Sequence, residues 1–265
     1  MEHRAYKNGA HSLRWRGLGG SLICRFEIAL RAGRMWRVVL SLDEYRECLF
    51  FALRMWYIGR KTTLDWRRAG RRDIGDYIND HVEGKLAEIA FAKVLRERYG
   101  IEVGVDLEVR PGAWVINESD IKSVAVGGER RRPRIRIDVK STTPESRYLL
   151  IDAREFENRR YDAYVLVLVD LPRDHLVRFV ADKIGMPPDL RQAIAPLSGI
   201  EAVIAGFAYR EDVEKHGRLY RAGERLPDPE NPKRKLVQLK VDNYGLPISS
   251  LRKDNKDWDE LVSRL

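Results

Sequence analysis

Tyr164–Val169 is the stretch that most limits how this chain can fold. All of its side chains are apolar or aromatic, so an extended strand here would need cover on both faces. Such a strand belongs at the centre of a sheet that has other layers above and below it. Hydrophobic residues make up 44% of the 265-residue chain, which is enough for a layered core. We therefore expect an α/β fold.

A second stretch, Arg134–Thr142, alternates between apolar and charged residues as a half-buried strand does. Ile135, Ile137 and Val139 share one face, and Arg136, Asp138 and Lys140 share the other. Charges are costly to bury unless they are paired or bound to a metal. A carboxylate and an ammonium about 6–7 Å apart along one strand therefore indicate a functional site. The alternative is an ion pair within a strand at the edge of a sheet.

Two helices are predicted upstream of this strand. The Ser41–Glu44 capping box begins the first helix, which ends at Gly59. The pair Asn79-Asp80 caps the second helix, which carries a wide apolar stripe and ends at Gly100.

Acidic residues lie at the edge of the apolar stripe of the second helix and in a strand predicted after it. Glu88 flanks the stripe, and Glu83 is nearly as well placed. Asp120 opens the predicted strand that continues through Val126. A glutamate at a stripe edge is commonly a solvated boundary residue, so either glutamate alone is a weak indication of chemistry.

The remaining elements follow from shorter patterns. Strands are predicted at Ile101–Val109, His175–Val180, Ala202–Tyr209 and Leu236–Val241, and Tyr148–Ile151 is a short apolar segment. Helices are predicted at Ala153–Arg160 and Asp254–Leu265. Gly127–Pro133 reads as a basic hairpin tip, and Pro227–Lys235 as an exposed basic loop.

The charge of the chain favours a polyanionic partner. There are 49 Lys and Arg residues against 40 Asp and Glu, a formal net charge of +9. Nucleic acid is the first candidate for such a partner and an anionic membrane surface the second. A charge-rich surface on a heat-adapted protein is the alternative explanation.

Several other classes of protein fit the sequence poorly. Cys24 and Cys48 have neither metal-binding nor redox spacing, and no signal peptide or membrane span is evident, so a cytoplasmic, membrane-free location is expected. The five histidines have no paired metal-ligand spacing, which argues against a histidine-metal nuclease. Neither a phosphate-binding Gly-x-x-x-x-Gly-Lys loop nor a Gly-x-Ser-x-Gly elbow is present.

The ordered set of Glu88, Asp120 and Asp138-Val139-Lys140 resembles the PD-(D/E)XK nuclease superfamily over roughly residues 80 to 170. The chain departs from the family pattern at Ser119, where a proline commonly precedes the first acid. The resemblance implies a restriction endonuclease-like core, a central mixed β-sheet flanked by helices, with N- and C-terminal additions. It also implies hydrolysis of DNA phosphodiester bonds.

Magnesium is the cofactor that the resemblance and the residue chemistry imply, since Mg²⁺ is a hard cation that prefers oxygen ligands. The expected ligands are Asp120, Asp138, the backbone carbonyl of Val139, and Glu88. Lys140 is expected to orient or help deprotonate the attacking water. The residues expected to contact DNA are Arg67, Arg68, Arg71, Arg72, Arg130, Arg131, Arg132, Arg134, Ser141 and Thr142.

Among nucleases, the resemblance is greatest to type II restriction endonucleases, which act as homodimers on double-stranded DNA. In that interpretation residues 1–34 are a flexible basic arm or an over-long start and residues 35–78 a helical annex. Residues 79–170 are then the nuclease core, and residues 171–265 serve dimerisation and DNA readout. A Holliday-junction or repair nuclease and a non-catalytic DNA-binding protein are the alternatives.

Overall fold

A computed structural model describes residues 35–58, 73–109, 119–181 and 183–265. The chain has a mixed α/β fold, in which helices flank a mixed sheet. The predicted arm at residues 1–34 lies outside the described residues, as does the expected C-cap Gly59. The α/β class and the mixed sheet with flanking helices are confirmed.

The central sheet has four strands in the order β1, β8, β7, β5. Their bounds are Trp36–Leu40, Ile200–Tyr209, Ala163–Val169 and Ile137–Thr142. β7 runs parallel to β5 and antiparallel to β8, and all of its residues are buried. The predicted central strand is confirmed. β5 and β1 are the two edge strands of this sheet.

Two long helices cover one face of the sheet. α1 (Leu42–Tyr57) begins at the predicted capping box, in which Ser41 and Glu44 satisfy each other's backbone N–H groups. α2 (Ile74–Tyr99) packs across β1, β5, β7 and β8 and ends at Gly100 in the left-handed conformation, as predicted. Val82, Leu86, Ala90 and Val94 of α2 are buried against β5 and β7.

The start of α2 differs from the prediction. Its N-cap is Asp73, whose carboxylate accepts a hydrogen bond from the backbone N–H of Gly75. Asn79 and Asp80 therefore lie inside the helix. Tyr77 and Ile78 are buried and extend the apolar stripe toward the N-terminus, so packing carries the helix past the local cap signal.

A smaller sheet covers the other face. β6 (Tyr148–Asp152), β12 (Asn243–Pro247) and β9 (Arg218–Tyr220) pair in the order β6, β12, β9. Leu149 and Ile151 pack against Tyr164, Leu166 and Leu168 of β7. β7 is thus covered on both faces, as its composition predicted.

The remaining elements connect or flank these layers. A three-stranded sheet contains β2 (Glu102–Val105), β3 (Ile121–Val126) and β4 (Glu129–Arg131), and β10 (Arg225–Asp228) pairs with β11 (Asn231–Gln238). The other helices are α3 (Ala153–Asn158), α4 (His175–Val180), α5 (Pro188–Ala193), α6 (Arg210–His216) and α7 (Asn255–Ser263). The predicted helices near Ala153 and Asp254 are confirmed.

Four further predictions of local structure were wrong. His175–Val180 is a helix rather than a strand, because His175 and Phe179 lie one turn apart and both contact Tyr45. β2 ends at Val105, since the Asp106 carboxylate accepts a hydrogen bond from the Glu108 N–H in a local turn. The predicted basic loop is the β10–β11 hairpin, and the predicted strand Leu236–Val241 ends at Gln238.

The strand β1, within residues 35–78, was not predicted from the sequence. Trp36–Leu40 pairs antiparallel with β8, so this segment contributes a strand to the central sheet as well as a helix. β8 comes from residues 171–265. Segments on both sides of the predicted nuclease core therefore build the sheet on which the candidate site lies.

The buried His175 makes the stability of the fold dependent on pH. Its Nδ1 lies 2.6 Å from the hydroxyl oxygen of Tyr45, and burial lowers the pKa of His175 to about 4. In the unfolded chain its pKa is about 6.5, so the unfolded state gains the proton first on acidification. Its contribution to stability is complete above that value and is lost as the pH falls from about 6.5 to about 4.

We expect His175→Gln to remove this term, which is on the order of 2–3 kcal/mol in the free energy of unfolding. Urea unfolding at several pH values measures it. His216→Gln, at an exposed position on α6, is the matched control and should keep the wild-type pH dependence. Identical pH profiles for the two variants would show that His175 is not the responsible group.

Candidate active site

The candidate site surrounds the outer edge of β5. Asp138 and Lys140 lie beside Tyr164 and Leu166 in the parallel register, so their side chains share the face covered by the smaller sheet. Ile137 and Val139 point to the opposite face and are buried against α2. The alternation predicted for this strand is confirmed from Ile137 onward, whereas Arg134–Arg136 precede the strand and are not part of it, and Asp138 is 5% exposed.

Asp120 lies along the open edge of β5. The backbone N–H of Asp120 donates to the carbonyl of Ile137 (3.1 Å), and its Oδ2 accepts a 2.7 Å hydrogen bond from the N–H of Val139. The carboxylate thus replaces the missing strand partner at that position. Asp120 and Asp138 are brought together although 17 residues separate them in the sequence.

Ser119 has a role of its own at this edge. Its Oγ accepts a 3.0 Å hydrogen bond from the N–H of Ile137 and donates to the carbonyl of the same residue at 2.8 Å. A proline at this position would have no hydroxyl to make these bonds. The Ser119 side chain therefore holds the segment that carries Asp120 against β5.

Glu88 reaches the site from α2. Both of its carboxylate oxygens accept hydrogen bonds from Nζ of Lys85, at 2.8 and 2.7 Å. Burial raises the pKa of Glu88 to about 7, Lys85 opposes that rise, and the charges of Asp138 and Asp106 add to it. The charge of Asp138 thus acts on Glu88.

Glu83, the alternative helix acid, lies farther along β5. Burial raises its pKa to about 7, the charge of Asp80 adds to the rise, and a hydrogen bond with Ser141 opposes it. Glu83 therefore faces the end of β5, whereas Glu88 faces the aspartates. The structure favours Glu88 as the helix acid of the site.

The carboxylates of the site raise one another's pKa values. Burial raises the pKa of Asp120 to about 6, and the charge of Glu88 adds to it. Burial also raises the pKa of Asp138, which Lys140 opposes and Asp120 increases. The three carboxyls have raised pKa values, and a bound cation would stabilise their ionised forms.

Lys140 is the counter-ion of Asp138 in this structure. Its Nζ lies 2.6 Å from Oδ2 of Asp138 in an ion pair that lacks hydrogen-bond geometry. The same Nζ donates a 2.8 Å hydrogen bond to Oε2 of Glu155. The ammonium group is held between two buried carboxylates.

Glu155 is the site residue that sequence reasoning missed. It lies on α3, is buried, and also accepts a 3.0 Å hydrogen bond from Nη1 of Arg159. The sequence offered a misleading signal, because Asp152-x-x-Glu155 has the spacing of a capping box, in which the glutamate would bond the N-cap backbone. The Asp152 carboxylate does cap α3, but the Glu155 side chain turns inward to Lys140.

The donor set suits a hard divalent cation in its chemistry, since Asp120, Asp138 and Glu88 supply carboxylate oxygens. Across the described ranges, however, no three Asp, Glu, His or Cys side chains are arranged to hold a metal ion. Lys85 and Lys140 compensate Glu88 and Asp138 directly. Binding of Mg²⁺ would therefore require these ammonium groups to move or share their carboxylates.

The residues predicted to contact DNA differ in their exposure to solvent. Arg130, Arg132 and Arg134 are exposed around β4 and the segment that leads to β5. Arg131 is half-buried and donates to the backbone carbonyl of Leu265, so it has a structural contact. Ser141 and Thr142 are half-buried at the end of β5. The predicted contacts at Arg67, Arg68, Arg71 and Arg72 lie outside the described residues.

No family model matches this chain, and the comparisons with curated proteins and with solved structures found no match either. The likeness to PD-(D/E)XK nucleases therefore rests on the ordered acids, Lys140 and the mixed sheet. In the described part of the chain, no helix has the length and apolar character needed to cross a membrane.

Proposed function

We propose that the protein is a Mg²⁺-dependent endodeoxyribonuclease that hydrolyses phosphodiester bonds of double-stranded DNA. The observation that supports this proposal is the ion pair of Asp138 with Lys140 at the edge of β5, with Asp120 bonded to the same edge and the charge of Glu88 acting on Asp120. These residues come from a helix, a strand entrance and a second strand, so packing of the whole core is needed to assemble them.

Asp120, Asp138 and the carbonyl of Val139 would hold the metal ion, with Glu88 as a further carboxylate nearby. Bound Mg²⁺ would shield the charge of the phosphodiester and lower the pKa of water. Burial raises the pKa of Asp120 and of Glu88, and a bound cation would oppose that rise.

Lys140 would orient the attacking water and stabilise negative charge on the phosphate. Its ammonium group donates a hydrogen bond to Glu155 and forms an ion pair with Asp138, and these two contacts fix its position. Ser141, immediately after the lysine, would add a hydroxyl donor for a phosphate oxygen.

DNA is proposed as the substrate because the surface is basic. The net charge is +9, and Arg130, Arg132 and Arg134 are exposed near the strand that carries Asp138. A sequence-specific type II restriction endonuclease that acts as a homodimer is the finer proposal, which the resemblance favours.

Incubation of the purified protein with a long, sequence-diverse duplex DNA, in Mg²⁺ or in EDTA, tests the proposal. Discrete fragments formed only with Mg²⁺ would support a sequence-specific endonuclease, and mapping of their ends would give the site. A smear would support a nuclease without sequence specificity. Duplex binding without any cleavage would favour a non-catalytic DNA-binding protein.

Glu155→Gln is expected to reduce kcat by about 10–100-fold with little change in KM, because Lys140 loses the carboxylate that positions it. Glu155→Asp should recover part of the activity. Glu157→Gln, at an exposed position on the same helix, is the matched control and should retain full activity. An unchanged kcat in Glu155→Gln would show that Lys140 is positioned without it.

A further inference from the structure

We infer that the β10–β11 hairpin is an arm that binds the phosphate backbone of duplex DNA. The inference rests on the proposed function, since it takes the same DNA as its partner. It concerns residues far in sequence from the carboxylates, and it is carried by the anchoring, the backbone irregularity and the charges of the hairpin.

The hairpin is fixed to the body of the protein by a small core of its own. Tyr148, Tyr220, Leu226 and Leu239 are buried together at its base. The hydroxyl of Tyr148 donates a 3.0 Å hydrogen bond to the carbonyl of Pro227. The arm therefore has a defined attachment on β6, the strand that leads directly into α3 and Glu155.

The strand pairing leaves Lys233 and Arg234 outside the ladder and Lys235 within it. Asp228 pairs with Asn231, but the next pair joins Pro227 to Lys235. The three residues of β11 between these pairs have no partners on β10, so the register shifts at this point. Asn231–Lys235 is exposed throughout, and it contains Lys233, Arg234 and Lys235 in succession.

The acidic residues of the hairpin do not neutralise these lysines. Asp228 is 3% exposed and lies 3.8 Å from Arg147 and 3.7 Å from Arg234. Glu230 lies 3.3 Å from Arg147. Among the described residues, neither Lys233 nor Lys235 has an ion-pair partner.

The arm and the helix that carries Glu155 are attached to opposite ends of one strand, β6. Tyr148 begins β6, and Asp152 ends it and caps the helix that carries Glu155. The strand spans roughly 14 Å, which is less than one turn of duplex DNA. A duplex seated over the helix that carries Glu155 would thus be long enough to reach the arm anchored at Tyr148, and phosphate is the ligand that exposed ammonium groups favour.

Equilibrium binding of a short labelled duplex of mixed sequence to the full chain, in EDTA over a series of salt concentrations, tests the inference. The double variant Lys233→Ala/Lys235→Ala is compared with Lys215→Ala/Lys256→Ala, which removes the same charge from exposed positions on α6 and α7. The slope of log K against log salt should fall by about 1.8 in the hairpin variant. The control variant should keep the wild-type slope.

Three results would overturn the inference in distinguishable ways. A hairpin variant with the wild-type slope, alongside normal binding and cleavage by the wild type, would reject the arm and leave the proposed function standing. An equal loss of slope in the control variant would show a general effect of net charge. A wild-type protein without affinity for duplex DNA would reject the proposed function together with the arm.

Discussion

Replacement of Asp138 by asparagine is expected to abolish Mg²⁺-dependent cleavage and to raise the free energy of unfolding in the same variant. Cleavage should fall by at least about a thousandfold, since the metal contributes several kcal/mol of charge stabilisation. Stability should rise by about 1–2 kcal/mol because burial raises the pKa of the Asp138 carboxyl in the folded state. Asparagine has nearly the same shape without the charge.

The pH dependence of this stabilisation has a definite sign. A carboxyl whose folded pKa lies above its unfolded value favours the folded state in acid and opposes it once it ionises. The advantage of Asp138→Asn should therefore be largest near neutral pH and disappear as the pH falls toward 4.

Urea unfolding and a cleavage assay on the same preparations measure both effects. Asp189→Asn, at an exposed position in the first turn of α5, is the matched control and should change neither property appreciably. A less stable Asp138→Asn protein would mean that the carboxylate is well compensated in the fold. Full activity would remove Asp138 from the site.

Lys140→Met is expected to lose cleavage by about a hundredfold or more while its affinity for duplex DNA stays within about twofold. Its effect on stability should be opposite to that of Asp138→Asn. Removal of the ammonium leaves Asp138 and Glu155 buried without their shared counter-ion, which costs about 3–5 kcal/mol.

The opposite signs of these two stability effects distinguish a site with excess buried negative charge from an ordinary ion pair. In a simple pair, removal of either partner destabilises the fold. Circular dichroism and urea unfolding should first establish that Lys140→Met is folded, and Lys140→Arg keeps the charge as a second variant. Destabilisation by Asp138→Asn and Lys140→Met alike would favour the simple pair.

The elements that the sequence predicted best are those in which the local pattern and the tertiary packing favour the same structure. Tyr164–Val169 is apolar throughout and is buried on both faces as the central strand. The capping box at Ser41 and the C-cap at Gly100 combine local hydrogen bonding with the ends of apolar stripes. In such places a single pattern is enough.

Tertiary contacts decided the elements that the sequence did not predict. His175–Val180 is short and apolar, and its helical form depends on the contact of His175 with Tyr45. β1 became recognisable only through its pairing with β8. Short runs of this kind fit a strand or a helix equally well before their partners are known.

The candidate site likewise has features that a local pattern predicted and features that depend on tertiary contacts. The spacing of Asp138 and Lys140 followed from strand alternation alone. The function of Ser119 as a hydrogen-bonding residue and the contact of Glu155 with Lys140 join segments that are distant in sequence. No local pattern encodes such contacts, because they depend on how α3 and the segment before β3 lie along β5.

Single-turnover cleavage of an end-labelled duplex by wild type and Asp138→Asn, purified in parallel and assayed with Mg²⁺ and with EDTA, tests the central claim most directly. The paired purification excludes a contaminating nuclease. The nuclease proposal predicts cleavage by the wild type with Mg²⁺ only and none by the variant. Equal cleavage by both proteins, or intact DNA bound to a folded wild type in Mg²⁺, would contradict it.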